Sequence, residues 1–181
     1  MIASRSNEIV RLRPFEKFDA ENFAKAARES VETVGKWMDW CHAEYSPEEA
    51  RTWIEACRQN ADAGMAYEFA LVDPITDEFF GGAGVNQINT AHNFANIGYW
   101  VRRSQRGRGI ATAAARLLIE FAFEDLKLTR AEFVIRPDNL PSRRVAEKVG
   151  AILESSARNR IVSYGNSWDA VIYATVPEDV A

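Results

Sequence analysis

Ile9 to Phe15 alternates apolar with charged side chains, the period expected of a half-buried first strand. Asp19 to Val34 and Pro47 to Ala63 are predicted as helices, with Asp19 and Ser46 as candidates to cap their amino ends. Tyr67 to Val72 reads as a strand, Pro74 and Asp77 mark a turn, and Phe79 to Ile88 reads as the next strand. A polar, turn-like stretch from Asn86 to Asn93 leads into the apolar run Phe94 to Val101. Beyond it the chain predicts a helix to about Leu126, a strand over 130–136 and a helix over 140–149. Asp138 or Asn139 suits that last helix as a cap, Pro141 suits its first turn, and Gly150 its end. Strands near 151–163 and 168–176 close the order, joined by Tyr164-Gly165-Asn166-Ser167 as a hairpin turn. Strands grouped before and after a central β-α-β-α segment imply an α/β (α+β) fold, a mixed, mostly antiparallel sheet flanked by helices. No linker-like tract, low-complexity run or internal repeat divides the chain, so one domain is expected over residues 8–176.

Candidate chemistry concentrates where the run Ile97-Gly98-Tyr99-Trp100-Val101 ends. There Gln105-Arg106-Gly107-Arg108-Gly109-Ile110-Ala111 leads into the helical run that begins at Thr112. Gly107 and Gly109 let the backbone take positive φ and approach an anion closely. The first N–H groups of a helix lack intrahelical partners and, with the helix dipole, attract negative charge. Arg102, Arg103, Arg106 and Arg108 place fixed positive charge around the turn. The expected ligand is a pyrophosphate. Two familiar phosphate loops do not fit: no Lys-Ser or Lys-Thr follows the glycines, and Ile110, Ala111 and Thr112 do not complete a dinucleotide fingerprint.

The run Q-R-G-R-G-I-A resembles the Q/R-x-x-G-x-G/A pyrophosphate loop of the GNAT superfamily of N-acetyltransferases, which bind acetyl-coenzyme A. A second element, Asn139-Leu140-Pro141-Ser142-Arg143-Arg144-Val145-Ala146-Glu147-Lys148-Val149-Gly150, resembles the N-x-x-S-x-R-x-x-E-K-x-G segment after the family's fifth strand. Leu12-Arg13-Pro14, Trp37-Met38-Asp39-Trp40, Gly81-Gly82-Ala83-Gly84 and Phe121-Ala122-Phe123-Glu124 extend the likeness to the ribosomal-protein N-terminal acetyltransferase branch, the RimJ/RimL type. The resemblance implies a splayed central strand whose freed backbone groups, from Tyr99, Trp100, Val101 and Arg102, hold the pantetheine arm. Gln105, Arg106, Gly107, Arg108, Gly109, Ile110, Ala111 and Thr112 then hold the pyrophosphate. It further implies direct acetyl transfer to a primary amine in a ternary complex, and a homodimer.

Composition narrows the alternatives. With 181 residues, 47% of them apolar, the chain can bury one substantial core. No charged-then-apolar leader opens it and no run of eighteen apolar residues occurs, so neither a secretory signal nor a membrane span is expected. Cys41 and Cys57 read as isolated reduced thiols and His42 and His92 have no ligand spacing, which points to a cytoplasmic protein without metal. The first hundred residues carry an excess of acidic side chains and the remainder an excess of basic ones. The basic part contains the loop, as an anionic ligand requires, and the acidic part could attract a cationic amine or basic polypeptide. A sequence pI near 5.3 disfavours general nucleic-acid binding.

Transfer from a thioester to an amine needs a polarised carbonyl, a neutral amine and a proton for the leaving thiolate. An N–H near Trp100 or Val101 is the expected oxyanion donor. By the resemblance Asn139 contacts the pantetheine, and Ser142, one helical turn on, donates the proton. Glu68, beside Tyr67 in its strand, is the carboxylate candidate for the base; an α-amine, with a pKa of about 8, could instead lose its proton through water. Trp37, Trp40 and Trp53 either line an acceptor pocket, with Tyr67 and Glu68, or belong to the core. Small-molecule amine acetylation and a non-catalytic acyl-CoA-binding module are the competing functions.

Overall fold

A computed structural model describes residues 4–179. Eight strands form one sheet in the order β1-β2-β3-β4-β5-β6-β8-β7. They are β1 (Arg5–Ser6), β2 (Arg11–Pro14), β3 (Tyr67–Val72), β4 (Phe79–Asn89), β5 (Phe94–Val101), β6 (Arg130–Ile135), β7 (Ile152–Ser163) and β8 (Asn166–Thr175). Every neighbouring pair is antiparallel except β5–β6, which is joined by the crossover helix α3 (Ile110–Glu124). Helix α4 (Leu140–Lys148) lies on the same face as α3, while α1 (Asp19–Glu29) and α2 (Pro47–Asp62) cover the other. The mixed, mostly antiparallel sheet is as the sequence implies.

Strand alternation sorts the side chains into two cores. Phe69, Leu71, Val85, Ala95, Ile97 and Phe133 face α3 and its alanines Ala113, Ala114 and Ala115. Ala70, Val72, Phe79 and Trp100 face α1 and α2, where Phe15, Phe23, Trp40, Tyr45 and Trp53 form an aromatic cluster. Gly82 and Gly84 of β4 serve this second face. A Cβ on Gly82 would lie 2.7 Å from Trp100 Nε1, and one on Gly84 would lie 2.0 Å from Glu68 Oε2. Their missing side chains are the space those two groups occupy.

Several local expectations change. Asp19 does not cap α1: it is the first helical residue, and its buried carboxylate looks back to Arg13 at 2.7 and 2.8 Å and to the Glu16 N–H at 2.8 Å. The ion pair outcompetes the cap. Ser46 does cap α2, in a reciprocal capping box with Glu49. Helix α1 stops at Glu29 rather than Val34, and a π-type turn, Val31–Gly35, follows. Ser30 Oγ donates back to Ala26 O at 2.6 Å, and the β-branched Val31, Thr33 and Val34 do not favour continuing the helix. Asn86, expected in a turn, is paired in the ladder with Asn96. The β7–β8 turn is two residues, Tyr164 and Gly165, at φ of 51° and 69°, so Asn166 already belongs to β8.

Candidate active site

Strands β5 and β6 start as neighbours and then part. Their parallel pairing covers only Phe94↔Arg130, Ala95↔Ala131 and Asn96↔Glu132. Where the ladder stops, the Asn96 side chain takes over, its Oδ1 accepting from the Val134 N–H at 3.3 Å. Past that point β5 remains bonded to β4 alone. Arg102 N–H donates to Phe80 O, and successive residues of an antiparallel strand face opposite neighbours. The N–H groups of Tyr99 and Val101 therefore face the gap, while that of Trp100 faces β4. The sequence left Trp100 and Val101 as equal choices for an oxyanion donor; the ladder favours Val101.

A cavity of about 810 Å³ occupies the gap and opens on both faces of the sheet. Its first mouth is the amino end of α3. Gly109 caps that helix at φ 78°, Gly107 shares the same φ, and nothing lies within 4 Å of a Cβ built on either. A left-handed backbone, rather than crowding, is why these two positions are glycine. Ala113 N–H bonds Gly109 O, so the N–H groups of Ile110, Ala111 and Thr112 have no intrahelical partner, and all three residues line the cavity.

The arginines around this mouth divide. Arg102 turns to α1, with Nε and Nη2 on Glu29 at 2.9 and 2.5 Å and Nη1 on Phe79 O at 3.3 Å. Ser104 also donates to Glu29, and these bonds, Arg102 foremost, hold the Glu29 carboxyl down at about 2. Arg103 pairs with Glu32 at 3.0 Å. Arg108 bonds Gln105 and lies over the Phe80 ring, outside the cavity lining. Gln105 and Arg106 do line it. The positive charge expected around the turn is therefore uneven: Arg102 braces the loop against α1 and Arg103 against the turn that follows it, because carboxylates stand within their reach.

Helix α4 supplies the next wall. Asn139 is its cap, with Oδ1 accepting from the Ser142 N–H at 3.3 Å. Ser142 Oγ lies 2.9 Å from the Tyr99 hydroxyl, which also donates to Ser142 O at 3.2 Å. Burial pushes the Tyr99 phenol up to about 12, so it is a proton donor at neutral pH. Tyr99, named from the sequence for its backbone alone, thus brings a hydroxyl as well.

The second mouth lies on the α1/α2 face. Thr33, Val34, Trp37 and Met38 from the turn after α1 line it, with Asn96, Trp100, Val134, Arg136 and Ile161. Trp40 and Trp53 do not reach it: Trp40 packs on Phe23, Tyr45 and Trp100, and Trp53 on Phe15 and Phe23. Tyr67 faces α3, edge-on to Phe121. Glu68 also stands off the cavity wall, but a directed chain links it there. Asn86 Nδ2 donates to Glu68 Oε1 at 3.0 Å, and Asn96 Nδ2 donates to Asn86 Oδ1 at 2.9 Å. Burial pushes the Glu68 carboxyl up to about 7 against the lowering effect of the Asn86 bond. The sequence reading missed Asn96, Met38, Arg136 and Trp168. An asparagine inside an apolar strand was the one available signal.

These features define a transferase class built around a splayed sheet. The GNAT acetyltransferase domain is matched over residues 10–152. YdaF of Bacillus subtilis (strain 168) is 31% identical over 189 residues, covering 99% of this chain and 97% of that protein. The ribosomal-protein-serine acetyltransferase of Escherichia coli (strain K12) is 30% identical over 75% of this chain and 76% of its own length. Mycobacterium smegmatis RimJ, solved in complex with CoA-disulfide, is 28% identical with a TM-score of 0.85, over 94% of this chain and 83% of that one. The chain belongs to the GNAT family and is an N-acetyltransferase.

Proposed function

We propose that this protein transfers the acetyl group of acetyl-CoA to the α-amine at a protein amino terminus, by direct attack in a ternary complex. The observation that carries the reading is one cavity running from the unpaired N–H groups of α3, through the β5–β6 gap, to the Trp37 side of the sheet. The pyrophosphate sits at Gln105 to Thr112, with Gly107 and Gly109 letting the backbone close on it. The pantetheine arm runs along Tyr99 and Val101 beside Asn139. The thioester carbonyl then meets the Val101 N–H, a donor worth about 3 kcal/mol to a developing oxyanion.

The amine nitrogen attacks the carbonyl carbon, the C–S bond breaks, and the thiolate takes a proton from the Ser142–Tyr99 hydroxyl pair. The amine's own proton leaves to water. Glu68 holds Asn96 in place through Asn86 rather than touching the amine, because amide groups do not relay protons readily. In this reading Arg102 braces α1 through Glu29 rather than holding the cofactor. A protein acceptor is supported by the names of the relatives above. The reading carries with it a cytoplasmic location and a homodimer, for which the unpaired outer edge of β7, with Ile152 and Leu153 exposed, offers a surface.

Incubation with acetyl-CoA and a mixture of peptides and small amines, read by mass spectrometry, tests the proposal. Acetylated peptide amino termini are expected. Acetylation confined to small amines moves the acceptor class, and coenzyme A binding without any turnover removes the enzymatic reading of this site.

A further inference from the structure

Arg136 follows the last residue of β6 and shares the sheet face of Val134, on the acceptor side of the cavity it lines. Its guanidinium is held from three directions. Cζ lies 3.7 Å from the Trp168 ring centroid and 5.2 Å from that of Trp37. Nε and Nη2 donate to the Asp138 carboxylate at 3.2 and 3.0 Å. Tyr164 at the β7–β8 tip donates its hydroxyl to Gly35 O at 2.6 Å, which ties the hairpin carrying Trp168 to the turn just before Trp37.

Only Nη1 of that fork has no protein acceptor among the described residues, on a side chain that is 12% exposed. An arginine keeps its protons at any relevant pH and offers no acceptor of its own. A charged donor immobilised at a cavity wall is placed to donate to an oxygen on whatever enters.

We propose that Arg136 is a specificity-determining residue whose free Nη1 binds the carbonyl oxygen adjacent to the reacting amine, so that the enzyme selects α-aminoacyl acceptors. This rests on the acceptor-side reading of the cavity given above. The surrounding wall agrees. Trp37, Met38 and Ile161 are suited to an uncharged first side chain. Site and partner differ from the pyrophosphate loop in every residue.

The test compares tripeptides with free amino termini, the corresponding amino-acid amides, and the matched amines that lack the carbonyl, such as serinamide against ethanolamine. The wild-type enzyme is expected to favour both carbonyl-bearing classes by at least tenfold in kcat/KM expressed on the neutral amine, which removes the difference in amine basicity. Arg136→Met is expected to collapse that preference, mainly through KM, and Arg136→Lys to recover part of it. Coenzyme A binding by calorimetry reports that each variant is folded. Equal wild-type rates with and without the carbonyl overturn the inference while leaving the acetyltransferase reading in place. An equal loss for Arg136→Met on all three classes overturns it too. Absence of turnover on every amine removes the proposed function itself, and this inference with it.

Discussion

The two mouths of the cavity are built in opposite ways. The mouth at α3 comes from one short stretch of chain, Gln105 to Thr112 with Arg108 turned away, whose backbone geometry is fixed by two left-handed glycines. The mouth on the α1/α2 face draws Trp37 from a turn, Asn96 from β5, Arg136 from just after β6 and Ile161 from β7, with Trp168 of β8 stacked behind Arg136. A contiguous site can be read from a chain, because spacing along it is spacing in space. A dispersed one depends on sheet order and register, which no short motif records. Ser142 and Tyr99 stand between the two extremes, brought together by α4 packing over the β5–β6 gap.

The largest expected effect falls on that junction. Replacing both Ser142 with Ala and Tyr99 with Phe should lower kcat about a hundredfold, the low end of what general acid catalysis supplies, since a thiolate leaves fairly readily. Ser142→Ala alone is expected to cost less, because Tyr99 retains a proton within reach. Coenzyme A affinity by calorimetry should change little in either case. Equal rates in the double variant would take the hydroxyl pair out of the chemistry.

At the contiguous mouth, Gly109→Leu is expected to weaken coenzyme A at least tenfold, about 1.4 kcal/mol. A Cβ at this position meets no protein atom within 4 Å, so crowding at the branch point is not the cause. Its cost has two parts: a left-handed φ of about 1–2 kcal/mol in folding, and obstruction of the N–H groups at the head of α3. Unfolding midpoints separate the first from the second. An unchanged dissociation constant would contradict the placement of the pyrophosphate.

How much could be read in advance follows the same division. Gly107, Gly109, Asn139 and Gly150 announced themselves because each solves a local backbone problem: a positive φ, a cap, a helix end. The strands were legible from their alternation, and the sheet class from their order. Trp40 and Trp53 were not separable from Trp37 in sequence, since all three lie in the α1–α2 region and only packing tells a core indole from a lining one. Arg102 and Arg106 likewise look equivalent until α1 brings Glu29 beside one of them. Glu68 was marked as a carboxylate in an apolar strand, but the amides that tie it to the cavity come from β4 and β5.

The smallest effect should sharpen the reading of that dispersed side. The Glu68 carboxyl is raised to about 7 in the folded protein, against an ordinary value of about 4.3 when unfolded. Between those values the folded state holds a proton that the unfolded state has released. Stability from this group is therefore complete below about pH 4 and falls as pH rises toward 7. Cys57 of α2 is the titratable neighbour that shares this environment, and burial keeps its thiol protonated throughout. Glu68→Gln removes the titration while its amide oxygen still accepts from Asn86. Measured by denaturant unfolding at pH 5 and pH 8, the variant should gain on the wild type by on the order of 1 kcal/mol at the higher pH, after allowance for solvent screening. Parallel stabilities at both pH values would mean that Glu68 titrates as an ordinary surface carboxylate. The Glu68–Asn86–Asn96 chain would then be ordinary packing, and the acceptor wall would depend on Asn96 and Arg136 alone.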